Sequence, residues 1–251
     1  MSDMSDMSEK KALFEEEKKK FRQLHGWKKL GYIWDYYKLP IFLLCIVLYI
    51  GGYMVYRQVT HRDVVLYTAL ANIAPGEEVK EELGNGFLLS REIDPKKNEC
   101  YLYSGLYLTT EINTVDQQSA YASQMKVLAA IDGEEMDVAL MDKNAFDMFS
   151  RSGYLCDIGE LLSEKTDGLY QELNSFIESN VHILEDNATD VSLNPEMKYE
   201  SETEEFPMAI NVSEAPLIEK AGFNGEVYLG VIANSPRKDM AVDYIRYLYG
   251  I

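Results

Sequence analysis

Hydrophobic positions in this chain form one long run and a series of short ones. The long run is Leu39 to Tyr56, LPIFLLCIVLYIGGYMVY, 18 residues without a charge. At ~1.5 Å per residue a helix over it reaches ~27 Å, close to the ~30 Å hydrocarbon core of a bilayer, so the pattern predicts a transmembrane helix. Pro40 falls in its first turn, where a missing N–H costs least. After the run, short apolar stretches alternate with amphipathic ones. DVVLYTALANI (Asp63 to Ile73), ECYLYSGLYL (Glu99 to Leu108) and MDVALMD (Met136 to Asp142) read as strands. Between them, Glu77 to Leu89 and a stretch capped by Asp116 and running to Ile131 read as helices. In the latter, Tyr121, Met125, Leu128 and Ala129 make one apolar stripe, expected to face the core.

Helix is predicted again from Lys143 to Ser150, through Gly159 to Leu162, and over Leu169 to Ile177. Pro195 to Glu205 reads as a polar loop with five glutamates. FPMAINV (Phe206 to Val212) and EVYLGVIA (Glu226 to Ala233) add two strands. Ser235 and Pro236 open a last helix that buries Met240, Ala241, Tyr244, Ile245 and Leu248. This order predicts an α/β domain, a helix-covered and mostly parallel sheet, following one N-terminal transmembrane helix.

Charge changes the picture at the two ends of the long run. Residues 1–38 hold 9 Lys/Arg and 7 Asp/Glu, whereas residues from Arg57 onward hold 15 Lys/Arg against 35 Asp/Glu. Basic residues crowd the N-terminal side of the span, at Lys19, Lys20, Arg22, Lys28, Lys29 and Lys38. The positive-inside rule therefore puts the N-terminus in the cytoplasm of a single-pass cell-membrane protein, with the later domain outside. The expected organisation is a charged cytoplasmic head at 1–26, an interfacial aromatic and basic segment at 27–38 (Trp27, Trp34, Tyr37), the bilayer-spanning 39–56, a stalk at 57–62 and an outer domain at 63–251. So acidic a domain repels nucleic acid, and no such partner is expected.

Candidate chemistry is sparse. No GxSxG, HExxH, phosphate loop or zinc spacing occurs, so no cofactor, metal site or catalytic residue is expected. Glu196, Glu200, Glu202, Glu204 and Glu205 lack the order of a calcium loop and read as a solvated loop. Outside the span there are two cysteines, Cys100 and Cys156; a disulfide between them and a pair of buried free thiols both stay open. Ligands approach the carboxyl ends of strands in open α/β sheets. Those ends present Asn72, Ser104 and Asp142, and Asn234 with Ser235 stands where a helix begins and could hold an anion. The same residue types also serve ordinary capping and turns. Tyr101, Tyr103 and Tyr107 share one face of a regular second strand, as a stacking surface or the rim of a core.

Two stretches resemble the type II extracellular solute-binding proteins of bacterial ABC transporters. They are MDVALMDKNAFDMFSRSGYLCDIGELL (Met136 to Leu162) and GVIANSPRKDMAVDYIRYLYG (Gly230 to Gly250). The layout, with WDYYKLP before the span, is also similar to uncharacterised single-pass membrane proteins of low-GC Gram-positive bacteria. The resemblance implies the fold of one periplasmic-binding-protein-like lobe. It implies a membrane-anchored module that presents a small solute or peptide to a transporter or sensor complex. Full members have two lobes, whereas only 67 residues separate Asp157 from Gly225 here. A domain that has lost the cleft and docks on a membrane complex is the alternative; an enzyme comes last.

Overall fold

The structure, a computed structural model, describes residues 27–109, 117–164, 168–194 and 196–251. The head at 1–26, the interfacial side chains of Trp27, Trp34 and Tyr37, and the Asp116 cap lie outside the described set. The chain divides into two units, one ending at His61 and one beginning at Arg62.

The first unit contains helix α1, Trp27–Thr60, 34 residues. Its stretch Lys38–Arg57 is long and apolar enough to cross a membrane. One continuous helix thus takes in the segment expected at the interface, the span and most of the stalk, about 51 Å at ~1.5 Å per residue. Pro40 is consequently inside the helix and not in its first turn. Lacking an N–H, it removes one ladder hydrogen bond at that point. Apart from half-buried Ile41, the apolar side chains from Leu39 to Tyr56 are exposed, which is compatible with a lipid-facing surface.

In the second unit, six strands form one sheet in the order β2-β1-β3-β6-β5-β4. They are β1 Asp63–Ala71, β2 Asn98–Leu106, β3 Val138–Met141, β4 Ile177–Asp186, β5 Ser201–Asn211 and β6 Tyr228–Val231. The first three are parallel. The last three join through antiparallel pairings, β3 with β6, β6 with β5, and β5 with β4. The sheet is therefore mixed and not mostly parallel. All four residues of β6 are buried, and a strand buried on both faces carries no directional signal in its hydrophobic pattern.

Alternation along the central strands makes two cores. Leu66 and Leu70 of β1, Val138 and Leu140 of β3, and Leu229 and Val231 of β6 point to one face. Over it lie α2 Glu77–Glu81, a π turn Glu82–Gly86, α3 Phe87–Ser90, α6 Ile158–Ser163, α7 Leu169–Leu173, α9 Pro216–Ala221 and α10 Lys238–Tyr249. Ala69, Ala71, Ala139, Met141 and Tyr228 point to the other face, covered by α4 Gln117–Asp132 and α5 Lys143–Arg151. The π turn leaves carbonyls that α10 satisfies: Tyr244 Oη donates to Leu83 O at 3.1 Å and Tyr247 Oη to Glu82 O at 2.9 Å.

The described residues between 168 and 205 do not make a second lobe, since their two strands belong to the one sheet. Helix α7, Leu169–Leu173, followed by a 3-10 turn at Asn174–Phe176, fills nearly all of the helix expected over Leu169 to Ile177, and the chain then enters β4 at Ile177. Strand β5 begins at Ser201, five residues before the predicted start. The two strands pair along nearly their whole length, yet β5 touches β6 only at Ile210 and Asn211. The remainder is a two-stranded arm carrying α8 Ala188–Leu193 at its tip. At its root Gly153 has φ +68°, and a β-carbon there would overlap the His182 ring, so the close approach requires glycine.

Candidate functional site

The expected polar site separates into two structural devices. Asn72 follows β1 in the left-handed region, φ +60°, which asparagine tolerates. Its Nδ2 donates to Leu108 O at 2.7 Å and to Asp142 Oδ1 at 3.0 Å, and its Oδ1 accepts from Leu108 N at 2.7 Å. Asp142 also caps α5, accepting from Ala145 N at 2.8 Å. These two residues do meet at the carboxyl end of the parallel strands, but they fasten β1, β2 and α5 together. Ser104 is not with them. It is exposed on the edge strand β2, beside a register shift and Gly105 at φ +71°.

Asn234 and Ser235 lie at the opposite end of the sheet, because β6 runs antiparallel to β3. Asn234 Nδ2 donates to Ile131 O at 2.8 Å. Buried Ser235 does not cap α10, which starts at Lys238 with Arg237 in the cap position. Its hydroxyl donates to Asp137 Oδ1 at 2.6 Å and accepts from Arg237 N at 3.0 Å. Asp137 is fully buried, and its Oδ2 accepts from Tyr67 N at 2.8 Å and Arg237 Nε at 2.8 Å. The Arg237 guanidinium also lies 4.8 Å from the Tyr67 ring centroid and bonds Glu134 O. Sequence reasoning missed this latch. The signal was an acid just before a buried strand, which a burial-based reading leaves unpartnered.

Cys100 and Cys156 are both free thiols. Cys100 sits on β2, and Cys156 bonds through its N–H to Val231 O of β6, so β1 and β3 stand between them. Strands are ~4.8 Å apart, which places the pair well beyond the ~7 Å Cα limit for a disulfide. Burial pushes the Cys100 thiol up to about 12 and the Cys156 thiol up to about 11. Both stay protonated and unreactive at neutral pH. Among the described residues, no group of His, Cys, Asp and Glu could hold a metal ion.

A different feature has the shape of a site. Helix α4 presents its small residues Ala120, Ser123 and Ala130, with Val127, to the sheet. Ser123 Oγ accepts from Tyr107 N at 3.1 Å, which ties the helix to the exit of β2. Tyr121, Met125 and Leu128 therefore point outward, exposed by 64%, 46% and 37%. This overturns the expectation that their stripe is core. The period was right, but the small side chains on the neighbouring face pack closer to the sheet than a tyrosine and a methionine can. Tyr101 and Tyr103 do share one face of β2, their rings meeting edge to face at 4.8 Å, but Tyr107 lies beyond the end of the strand, past Gly105 at φ +71°, so the three do not line up as one regular face.

The outward stripe forms one wall of a groove of about 650 Å³. Met148 of α5, with Ser152 and Tyr154 just after it, forms the other wall. Phe149, Leu108 and Val127 are buried at the floor, and Phe149 meets Tyr154 edge to face at 5.7 Å. In a chain that is 26% charged, none of the lining side chains among the described residues carries a charge. Such a groove receives apolar groups, with methionines that adapt to shape and Gln117 and Gln124 as a polar rim. No known protein family, curated protein or solved structure matches the chain.

Proposed function

We propose that this protein is a membrane-anchored, extracytoplasmic binding module that takes an apolar peptide segment into the groove between α4 and α5. The carrying observation is an uncharged groove rimmed by exposed Tyr121, Met125 and Leu128 in an otherwise strongly acidic domain. Its wall on α4 runs from Gln117 to Leu128, about 16 Å at ~1.5 Å per residue. That length accommodates successive anchors of an amphipathic helix or extended peptide. The apolar span of helix α1, and the Lys and Arg that crowd its N-terminal side while only Arg57 and Arg62 follow it closely, support an N-in, single-pass anchor.

The resemblance to solute-binding proteins supports a binding role on a periplasmic-binding-like lobe, as does the parallel half of the sheet. The arm at 177–205 supports docking on a membrane complex, such as a transporter or sensor, over capture in a two-lobed cleft. Asn72, Asp142 and Ser235 are committed to internal bonds, which moves the ligand away from the strand ends. A small apolar solute is the second reading, favoured by a cavity volume within the range of small-molecule sites.

Titration of the purified protein with labelled, uncharged amphipathic peptides tests the proposal, with neutral apolar small molecules as a parallel panel. Peptide binding that Met125→Glu weakens about tenfold or more supports it, since a buried charge opposes apolar contact. Binding of small molecules alone moves the groove to the solute reading. Peptide binding that Met125→Glu leaves intact overturns the assignment of the groove.

A further inference from the structure

The arm is ordered yet exposes apolar side chains. Asn187 organises its tip: Nδ2 donates to Lys198 O at 2.9 Å and Oδ1 accepts from Glu200 N at 2.8 Å. Tyr199 Oη donates to Asp186 Oδ2 at 3.1 Å. On this frame Leu184, Leu193, Met197 and Tyr199 are exposed by 48%, 80%, 46% and 47%. Large apolar side chains grouped on a projecting, hydrogen-bonded tip mark an interaction surface. Residues 177–205 also hold nine Asp/Glu against one lysine, Lys198.

Free strand edges are commonly protected by charge, and that accounts for acids along the arm. It does not account for their pairing. Glu185 stands directly opposite Glu202 in the ladder, and like charges in that position destabilise a hairpin. The arm therefore carries a repulsion that a cation between the two strands would relieve. A second copy of the chain is a poor occupant, since it brings the same net charge of −18.

We infer that the arm is a docking element for a basic protein segment with an apolar face. Leu193 and Met197 anchor it, and Glu185 and Glu202 receive its lysines or arginines. The surface is separate from the groove between α4 and α5, and the two stand or fall independently.

The test uses the full chain in nanodiscs of zwitterionic phosphatidylcholine and three labelled decapeptides: alternating Lys and Leu, alternating Glu and Leu, and alternating Lys and Ser. The Lys/Leu peptide binds, and its affinity drops about tenfold or more between 0.05 and 0.5 M salt, as screening shortens the reach of the acids. Leu193→Ser with Met197→Ser weakens it about tenfold or more, as does Glu185→Gln with Glu202→Gln, while the variants melt as the parent does. Equal binding of the Lys/Ser peptide would reduce the effect to bare charge and overturn the inference. So would undiminished binding by the Leu193 and Met197 variant, or self-association that the arm variants abolish.

Discussion

Thr68, Ala69, Leu70 and Ala71 of β1 are completely buried, while Ser201 to Glu205 of β5 are exposed at every position, although both strands belong to one sheet. The parallel half, β2-β1-β3, has helices over both faces and draws its stability from apolar area removed from water. The arm has neither face covered over its outer turns. It relies on the β4–β5 ladder and the hydrogen bonds around Asn187. Membership of a sheet thus says little about how strongly a strand is held. Contacts above and below it decide that.

The largest test of this contrast is amide hydrogen exchange. Amides of Leu66–Ala71 are expected to open only with the whole domain, and those of Val181–Asp186 and Ser201–Glu205 by local fraying, faster by about a hundredfold or more. Equal protection would make the arm part of the same cooperative unit.

Mutation sharpens the comparison. Asp137→Ala removes the acceptor of three hydrogen bonds and strands Arg237, whose side chain is 28% exposed. It is expected to cost about 3 kcal/mol in denaturant unfolding, at the lower end for a broken buried pair because Arg237 reaches water. Leu184→Ser on the arm is expected to stay within about 0.5 kcal/mol. Comparable losses from both would erase the distinction.

A smaller effect separates the halves by pH. Burial raises Cys100 from 9.0 to about 12 and Tyr103 from 10.0 to about 12, both on β2. The fold favours their protonated forms, so this stability is complete below about pH 9 and is lost as pH rises towards 12. Unfolding midpoints should be flat up to pH 9 and fall above it. A Cys100→Ala, Tyr103→Phe variant should fall less steeply.

Much of the parallel half was legible because its strands are apolar runs bounded by turn residues, as in Asp63 to Ile73 and Met136 to Asp142. Strand β4 was not legible: IESNVHILED has no fully buried residue on either face, so no strict alternation had to be kept. The direction of β6 was hidden for the opposite reason, burial on both faces. That single direction decided the fate of the site residues. Asn72 and Asp142 meet as the strand-end argument required, but Ser235 meets Asp137 at the far end. The groove was hidden in Tyr121, Met125 and Leu128, since a periodic stripe shows that one face is apolar without showing what covers it.

Strand β6 also sets an order of events during synthesis. It is made after the five other strands, yet it lies between β3 and β5 and is the sole strand joining the two halves. As the chain emerges at about 5–20 residues per second, β2-β1-β3 and β5-β4 can each pair before anything connects them. For that interval β3 and β5 both present open edges beside apolar faces. The nascent chain is therefore most vulnerable to mispairing just before β6 appears, and a helper that shields β3 would act in that window and not later.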